Sequence, residues 1–170
     1  MTFGPKTWVV GETVSAALLN QEIRDQFNSI FGAWSTYTPG WYAETGTNPT
    51  LGNGSLTGRY LKIGRTVDWW VQLTWGSTTA AGSGGGGENW MFGLPAAPAS
   101  GVTQRTVYID VYNGAAHYSG NAVYATTNGG VFRTLVSNRA DNTTIWDSAA
   151  PFVWAAGHVL YASGRYEAAS

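Results

Sequence analysis

The sequence predicts a mainly β protein, an antiparallel β-sandwich or jelly roll preceded by one N-terminal amphipathic α-helix. Three observations predict it. Charged residues make up only 11% of the 170 residues while aromatics reach 14%, a composition that suits compact β-structure better than a helical bundle. Short apolar–polar alternations recur after residue 36, and Gly-, Asn- and Pro-rich turns separate them. At this length we expect two parts, an attachment segment over residues 1–36 and a β-sandwich domain over residues 37–170.

The helix is predicted over about residues 15–31. Ser15 is suited to cap its N-terminus, and Gly32 is placed to end it. With an advance of about 100° per residue, its apolar residues fall on one stripe, which consists of Ala16, Leu19, Ile23, Phe27, Ile30 and Trp34. That stripe must be buried, either on its own domain or against copies of itself in a homo-oligomer. Gln26 interrupts the heptad seam, so we do not expect a free-standing coiled coil.

The clearest predicted strand is the segment "TVDWWVQLTWG". In it Val67, Trp69, Val71, Leu73 and Trp75 alternate with the residues of the opposite face. Six further segments read as strands: "NWMFGLP", "RTVYIDVYNG", "NAVYATT", "GVFRTLVSN", "TIWDS" and "HVLYASGRYEA". The segments "NPTLGNGSLTG", "YNGAAHYSGN", "TTNGG" and "RADN" carry turn residues. Seven to nine short antiparallel strands at this spacing are typical of a sandwich or jelly roll.

Several large aromatic residues fall on the wrong face for a core. The chain has nine tryptophans, and Trp70 points outward if its neighbour Trp69 points inward. Tyr108 and Tyr112 are likewise out of phase with the apolar residues of their strand. Outward aromatics indicate either a subunit interface or a ligand platform, for example one that stacks on a sugar ring. We expect the interface for Trp70, Tyr108 and Tyr112.

A glycine-rich segment, "AAGSGGGGENW", separates two predicted strands. Its residues Gly82, Ser83, Gly84, Gly85, Gly86 and Gly87 predict a mobile hairpin loop that contacts a partner. The segment lacks the Gly-Lys-Ser/Thr ending of a phosphate-binding loop. We expect the segment from Asn113 to Gly120 to serve as a second contact loop.

The residue types and spacings predict no enzyme. The chain has no cysteine, which excludes disulfides and thiolate sites. His117 and His158 lie apart, without a nucleophile elbow or zinc-binding spacing. Asp68 and Asp110 lie in mid-strand on the polar face, where we expect solvated or arginine-paired carboxylates rather than a glycosidase pair. No catalytic residue, metal ligand or cofactor is therefore predicted.

The charge and hydropathy of the chain indicate whether nucleic acid or a membrane is an expected partner. The net charge is −1 and the nine Lys and Arg residues are scattered, so no nucleic-acid surface is expected. No stretch approaches the 18 apolar residues of a membrane span, and no signal peptide is recognisable.

The two ends of the chain resemble tail, fibre and virion-surface proteins of bacteriophages that infect actinobacteria. At the N-terminus the resemblance is carried by "TWVVGETVSAALLNQEIRDQFNSI" and then by "YTPGWYAETGTNPTLGNGSLTGRYLKIGRTVDWWVQLTWG". "MFGLPAAP" and the terminal "GRYEAA" match further strand ends of the family. The segment from about 101 to 150 matches nothing in it, and the glycine-rich loop is longer than the family pattern.

This resemblance implies an N-terminal attachment segment and a β-rich body that commonly assembles as a trimer. We therefore expect a non-enzymatic virion structural protein, a surface-displayed tail or fibre component that is made in the host cytoplasm and released by lysis. Its expected partners are its own copies in a homotrimer, other virion proteins and a host cell-surface glycan. The alternatives are a capsid decoration protein and, from another class, a carbohydrate-binding module or glycan hydrolase that uses Trp70 with Asp68 and Asp110.

Overall fold

A computed structural model describes residues 6–44, 46–82, 90–101, 106–125, 131–137 and 150–169. Helix α1 spans Ala16–Leu19, a π-helical turn spans Asn20–Arg24 and helix α2 spans Asp25–Phe31. Within these ranges the structure has nine strands, β1 (Ser35–Tyr37), β2 (Trp41–Ala43), β3 (Ser55–Ile63), β4 (Thr66–Thr74), β5 (Trp90–Gly93), β6 (Thr106–Tyr112), β7 (His117–Ala125), β8 (Val131–Ser137) and β9 (Val159–Glu167).

The N-terminal helix forms where the sequence predicts it, and Ser15 is its N-cap. The Ser15 hydroxyl accepts a hydrogen bond from the backbone N–H of Leu18 at 3.2 Å, which satisfies one of the unpaired N–H groups of the first turn. Two features differ from the expectation. The middle of the helix is a wider π-helical turn, and Gly32 ends α2 in an extended rather than a left-handed conformation.

All nine strands belong to one antiparallel sheet, in the order β1-β3-β4-β9-β6-β7-β8-β5-β2. The two outermost strands, β1 and β2, are separated in sequence by only residues 38–40. Consecutive Cα atoms are about 3.8 Å apart, so the sheet must curl until its two edges meet. The Tyr37 hydroxyl of β1 donates a hydrogen bond to the Gly93 carbonyl of β5, the neighbour of β2, at 3.4 Å across this seam. The predicted mainly β, antiparallel fold with one N-terminal helix is therefore confirmed.

The core lies inside the curled sheet. Alternate residues of β4 point into it, and Val67, Trp69, Val71 and Leu73 are at most 1% exposed. At one end a cluster of indole rings packs at centroid distances of 5.2–5.7 Å, and it consists of Trp41, Trp75, Trp90 and Trp154. The first member of the core in sequence is Trp41, so the core is built without the N-terminal helix.

Several strand boundaries differ from the sequence expectation. β3 lies where turn residues dominate the pattern, and β7 begins at His117, so the turn before it is only residues 113–116. In β5 all of Trp90, Met91 and Phe92 are buried rather than alternating. The predicted strand "TIWDS" lies outside the described residues.

Candidate functional site

The apolar stripe of the N-terminal helix is exposed to solvent in the single chain. Its larger members keep between 36% and 57% of their surface accessible, and they are Leu19, Ile23, Phe27, Ile30 and Trp34. Among the helix residues whose side chains are described, none is buried. In the single chain the stripe is therefore not packed into the core of the β domain, and of the two alternatives it remains available to a partner.

The exposed apolar surface extends upstream of the helix, and polar contacts tie the segment down. Exposed residues before the helix are Trp8, Val9, Val10 and Val14. Lys6 forms an ion pair with Glu12, and its backbone N–H donates to the Glu22 carboxylate at 3.2 Å. Beyond the helix, Arg59 on β3 donates from Nη2 to the Trp34 carbonyl at 3.3 Å. This part of the chain is thus positioned by polar contacts while its apolar side chains stay largely uncovered.

A second feature is an aromatic-walled cleft on the outer face of β4, β9 and β6. Ser163 of β9 is in register with Trp70 of β4 on one side and with Tyr108 of β6 on the other. Because Ser163 is small, a cleft of about 380 Å³ opens between the two aromatic residues. Its described lining is completed by Val71, Gln72, Tyr161 and Ala162. Both tyrosines of the described lining are open to solvent, with Tyr108 at 54% and Tyr161 at 42% exposure.

A carboxylate with a side-chain partner flanks this cleft at each end. Asp68, two residues before Trp70, accepts from Arg165 Nε at 2.6 Å and from Nη2 at 3.0 Å. The pKa of Arg165 is raised by its hydrogen bonds to Asp68 and by the charge of that carboxylate. At the other end, Asp110 Oδ2 lies 2.7 Å from His117 Nδ1. The expectation of an arginine-paired carboxylate is therefore met at Asp68, and a histidine takes that place at Asp110.

These two carboxylates do not form a glycosidase pair. β9 lies between the strands that carry Asp68 and Asp110. Measured along β9, the two carboxylates are offset by four residues. With about 3.4 Å per residue and 4.8 Å between strands, their Cα atoms are roughly 16 Å apart. Carboxyl groups in such enzymes are only about 5–9.5 Å apart, so this sheet face does not support hydrolysis by Asp68 and Asp110.

The three predicted outward aromatics separate into two groups. Trp70 and Tyr108 meet at the cleft, whereas Tyr112 stacks on His117 with ring centroids 4.7 Å apart and donates to the Gly114 carbonyl at 2.8 Å. Tyr161 was missed by the sequence reasoning. The same alternation would have found it, because Leu160 and Ala162 on either side of it are buried.

The predicted contact loops are described only in part. Gly82 has a positive φ of 83°, and residues 83–87 lie outside the described residues. The loop after β6 is a tight turn, because Asn113 Oδ1 accepts from the backbone N–H groups of Ala115 and Ala116 at 3.0 and 2.8 Å. Its short span offers few side chains to a partner.

The second histidine has a structural position. His158 Nδ1 accepts a hydrogen bond from the Ala155 N–H at 3.0 Å, and its ring packs edge-on against Phe152. Within the described part of the chain, no group of three or more His, Asp or Glu residues is placed to bind a metal ion. In the same ranges, no helix has the length and apolar character needed to span a membrane.

Comparison of the chain with protein families, with curated proteins and with solved structures found no match.

Proposed function

We propose that the protein is a non-enzymatic structural component of a phage particle, a tail or fibre protein that docks through its N-terminal helix and displays its β domain. One observation carries the docking role. The helix exposes its apolar stripe from Leu19 to Ile30, and Trp34 lies exposed beyond the end of α2, while the β domain has its own core beginning at Trp41. The link to phages comes from the sequence resemblance described above.

Energetics favour assembly of more than two copies. Fully burying a large apolar side chain is worth about 1.5–3 kcal/mol, and the stripe offers Leu19, Ile23, Phe27, Ile30 and Trp34. Association costs about 4–15 kcal/mol in lost translational and rotational freedom. A pair of helices covers each stripe from one side only, whereas three helices cover each stripe from two sides and bury more of it. A homotrimer is the proposed state.

The test is the mass of the native protein in solution by light scattering. We expect a value near three times 18.1 kDa. Ile23→Asp places a charge in the stripe and should give a monomer with an unchanged far-ultraviolet spectrum of the β domain. Asn28→Asp is the matched control, since Asn28 is an exposed polar residue of the same helix outside the stripe, and it should leave the mass unchanged.

A clean monomer for the unmodified chain at high concentration would contradict self-docking. If Ile23→Asp instead unfolded the β domain, the stripe would be part of the core and the proposal would be wrong. The copy number in purified particles then separates a fibre component from a capsid decoration protein, because a decoration protein is present in proportion to the shell subunits.

A further inference from the structure

We infer that the cleft between Trp70 and Tyr108 is a binding site for a neutral saccharide. This inference deepens the proposed function, on which it rests in one respect: the β domain is the part displayed toward the host. Its physical basis is the sheet face itself and is independent of how the helix assembles.

The cleft has the dimensions of a small-ligand site. Trp70 and Tyr108 stand on either side of Ser163, two strand intervals apart, which is about 10 Å between Cα atoms. Aromatic and ligand carbons in contact are about 3.5–4 Å apart, so one ring fits between the two side chains. The volume of about 380 Å³ lies at the lower end of the range of small-molecule sites, roughly 300–1,000 Å³.

The chemistry of the lining matches a sugar ring. The faces of a pyranose carry C–H groups, which pack well on the apolar surfaces of Trp70, Tyr108 and Tyr161. Its rim carries hydroxyls that need hydrogen-bond partners, and the lining residues Ser163 and Tyr161 carry hydroxyls. The Gln72 amide and the Tyr108 hydroxyl also belong to the lining and already bond to Thr74 and Ser119. Apolar walls with a few polar groups are the usual composition of a ligand site.

The charge pattern favours a neutral ligand. None of the described residues that line the cleft carries a charge. Two guanidinium groups lie beside it: Arg165 is held by both carboxylate oxygens of Asp68, and Arg59, in register with Trp70 on β3, donates to the Trp34 carbonyl. An acidic sugar would have to compete with these existing partners for either guanidinium and would lie near the Asp68 carboxylate, so an uncharged saccharide is the better match.

A second copy of the chain is a poorer occupant. The ion pair Asp68–Arg165 and the contact of Asp110 with His117 lie immediately beyond the cleft, so the apolar area ends within one residue pair on each side. A stable interface buries about 1,200–2,000 Å² and would have to cover both contacts, at a desolvation cost.

The experiment uses the full chain on an array of neutral and acidic glycans, followed by a tryptophan-fluorescence titration with soluble lactose, maltose and mannobiose. We expect a signal from neutral glycans and saturable quenching or enhancement by at least one of these disaccharides. Tyr108→Ala should weaken binding by about tenfold or more, the scale of losing one aromatic anchor.

Two further variants test the position of the site. Ser163→Tyr fills the cleft from an exposed position and should abolish binding without disturbing the core. Tyr112→Ala is the matched control, because this tyrosine lies on the same outer face beyond the cleft, against His117, and it should bind as the unmodified chain does.

The inference is overturned by any of three results: no signal from neutral glycans, binding that Tyr108→Ala and Ser163→Tyr leave unchanged, or a change of oligomer mass in Ser163→Tyr with no glycan binding in any variant. The Ile23→Asp protein distinguishes this inference from the proposed function. It should bind the disaccharide with the same monovalent affinity, whether or not the helix proves to be the assembly element.

Discussion

The indole Nε1 of Trp69 donates a hydrogen bond to the hydroxyl of Tyr124 at 3.0 Å, and both side chains are buried. The bond joins β4 to β7 across the interior of the curled sheet. Gly164 of β9 is in register with Trp69, and a Cβ at that position would strike the Tyr124 hydroxyl. The glycine therefore leaves the space in which these two side chains meet.

Removing the acceptor of this bond should destabilise the protein. For Tyr124→Phe we expect a loss of about 0.5–1.5 kcal/mol in the free energy of unfolding, the net worth of one hydrogen bond, measured by urea denaturation. Tyr161→Phe is the control, since its hydroxyl is on the exposed outer face. It should change stability by less than about 0.5 kcal/mol. Equal losses in the two variants would show that the hydrogen bond between Trp69 and Tyr124 does not stabilise the fold.

Adding a methyl group at Gly164 should cost more. Besides the Tyr124 hydroxyl, the new Cβ would lie 3.3 Å from a ring carbon of Trp69, and overpacking of this kind costs about 1–3 kcal/mol. The loss should shrink when Gly164→Ala is made in the Tyr124→Phe background, where the hydroxyl is gone. Strict additivity in this double-mutant cycle would show that the two positions do not compete for space.

Alkaline pH should unfold the protein. Burial raises the pKa of Tyr124 to about 12, an effect that the Trp69 hydrogen bond partly offsets, and burial also raises the pKa of Tyr37 and Tyr166. A tyrosine in the unfolded chain has a pKa of about 10. The folded state thus holds the three tyrosine protons more tightly than the unfolded state. Their contribution to the free energy of unfolding is therefore fully present below about pH 10 and is lost as pH rises toward 12.

Urea unfolding at a series of pH values, with tyrosinate absorbance recorded in parallel, checks this. Stability should be unaffected by these groups between about pH 8 and 9.5 and should fall above about pH 10. A free energy of unfolding that stayed constant up to pH 12 would mean that the three tyrosines titrate as exposed groups.

Truncation should separate the two parts of the chain. A chain that begins at Ala33 keeps all nine strands of the described residues and their core from Trp41 onward, so we expect it to unfold cooperatively with nearly unchanged stability. It should also be monomeric. A truncated chain that fails to fold would show that the helix stabilises the β domain, contrary to the exposure of its stripe.

The sequence predicts much of this architecture wherever the pattern is local. β4 alternates with a two-residue period along its whole length, and the helix carries both its cap and its stripe. β3 was not predicted because Gly58 interrupts its apolar pattern. A glycine is needed at this position by the tertiary structure, since a Cβ there would strike the ring of Tyr37. No comparable local pattern marks the π-helical turn.

The candidate site was predictable only in fragments. Alternation places Trp70 and Tyr108 on the outer face of their strands. Their meeting depends on β9 lying between β4 and β6, an order that no local pattern specifies. The ion pair of Asp68 with Arg165 depends on the same order, since 97 positions separate the two residues in sequence.

The short strand β1 also determines how the domain would respond to a pull. The N-terminal segment leads directly into β1, which is paired to β3 by only three residues, whereas β3 is paired to β4 by nine. A pulling force applied through an anchored helix would therefore separate β1 from β3 before it separates β3 from β4. Under such a load the chain would lengthen by the residues of β1 while the strands around the core keep their hydrogen bonds.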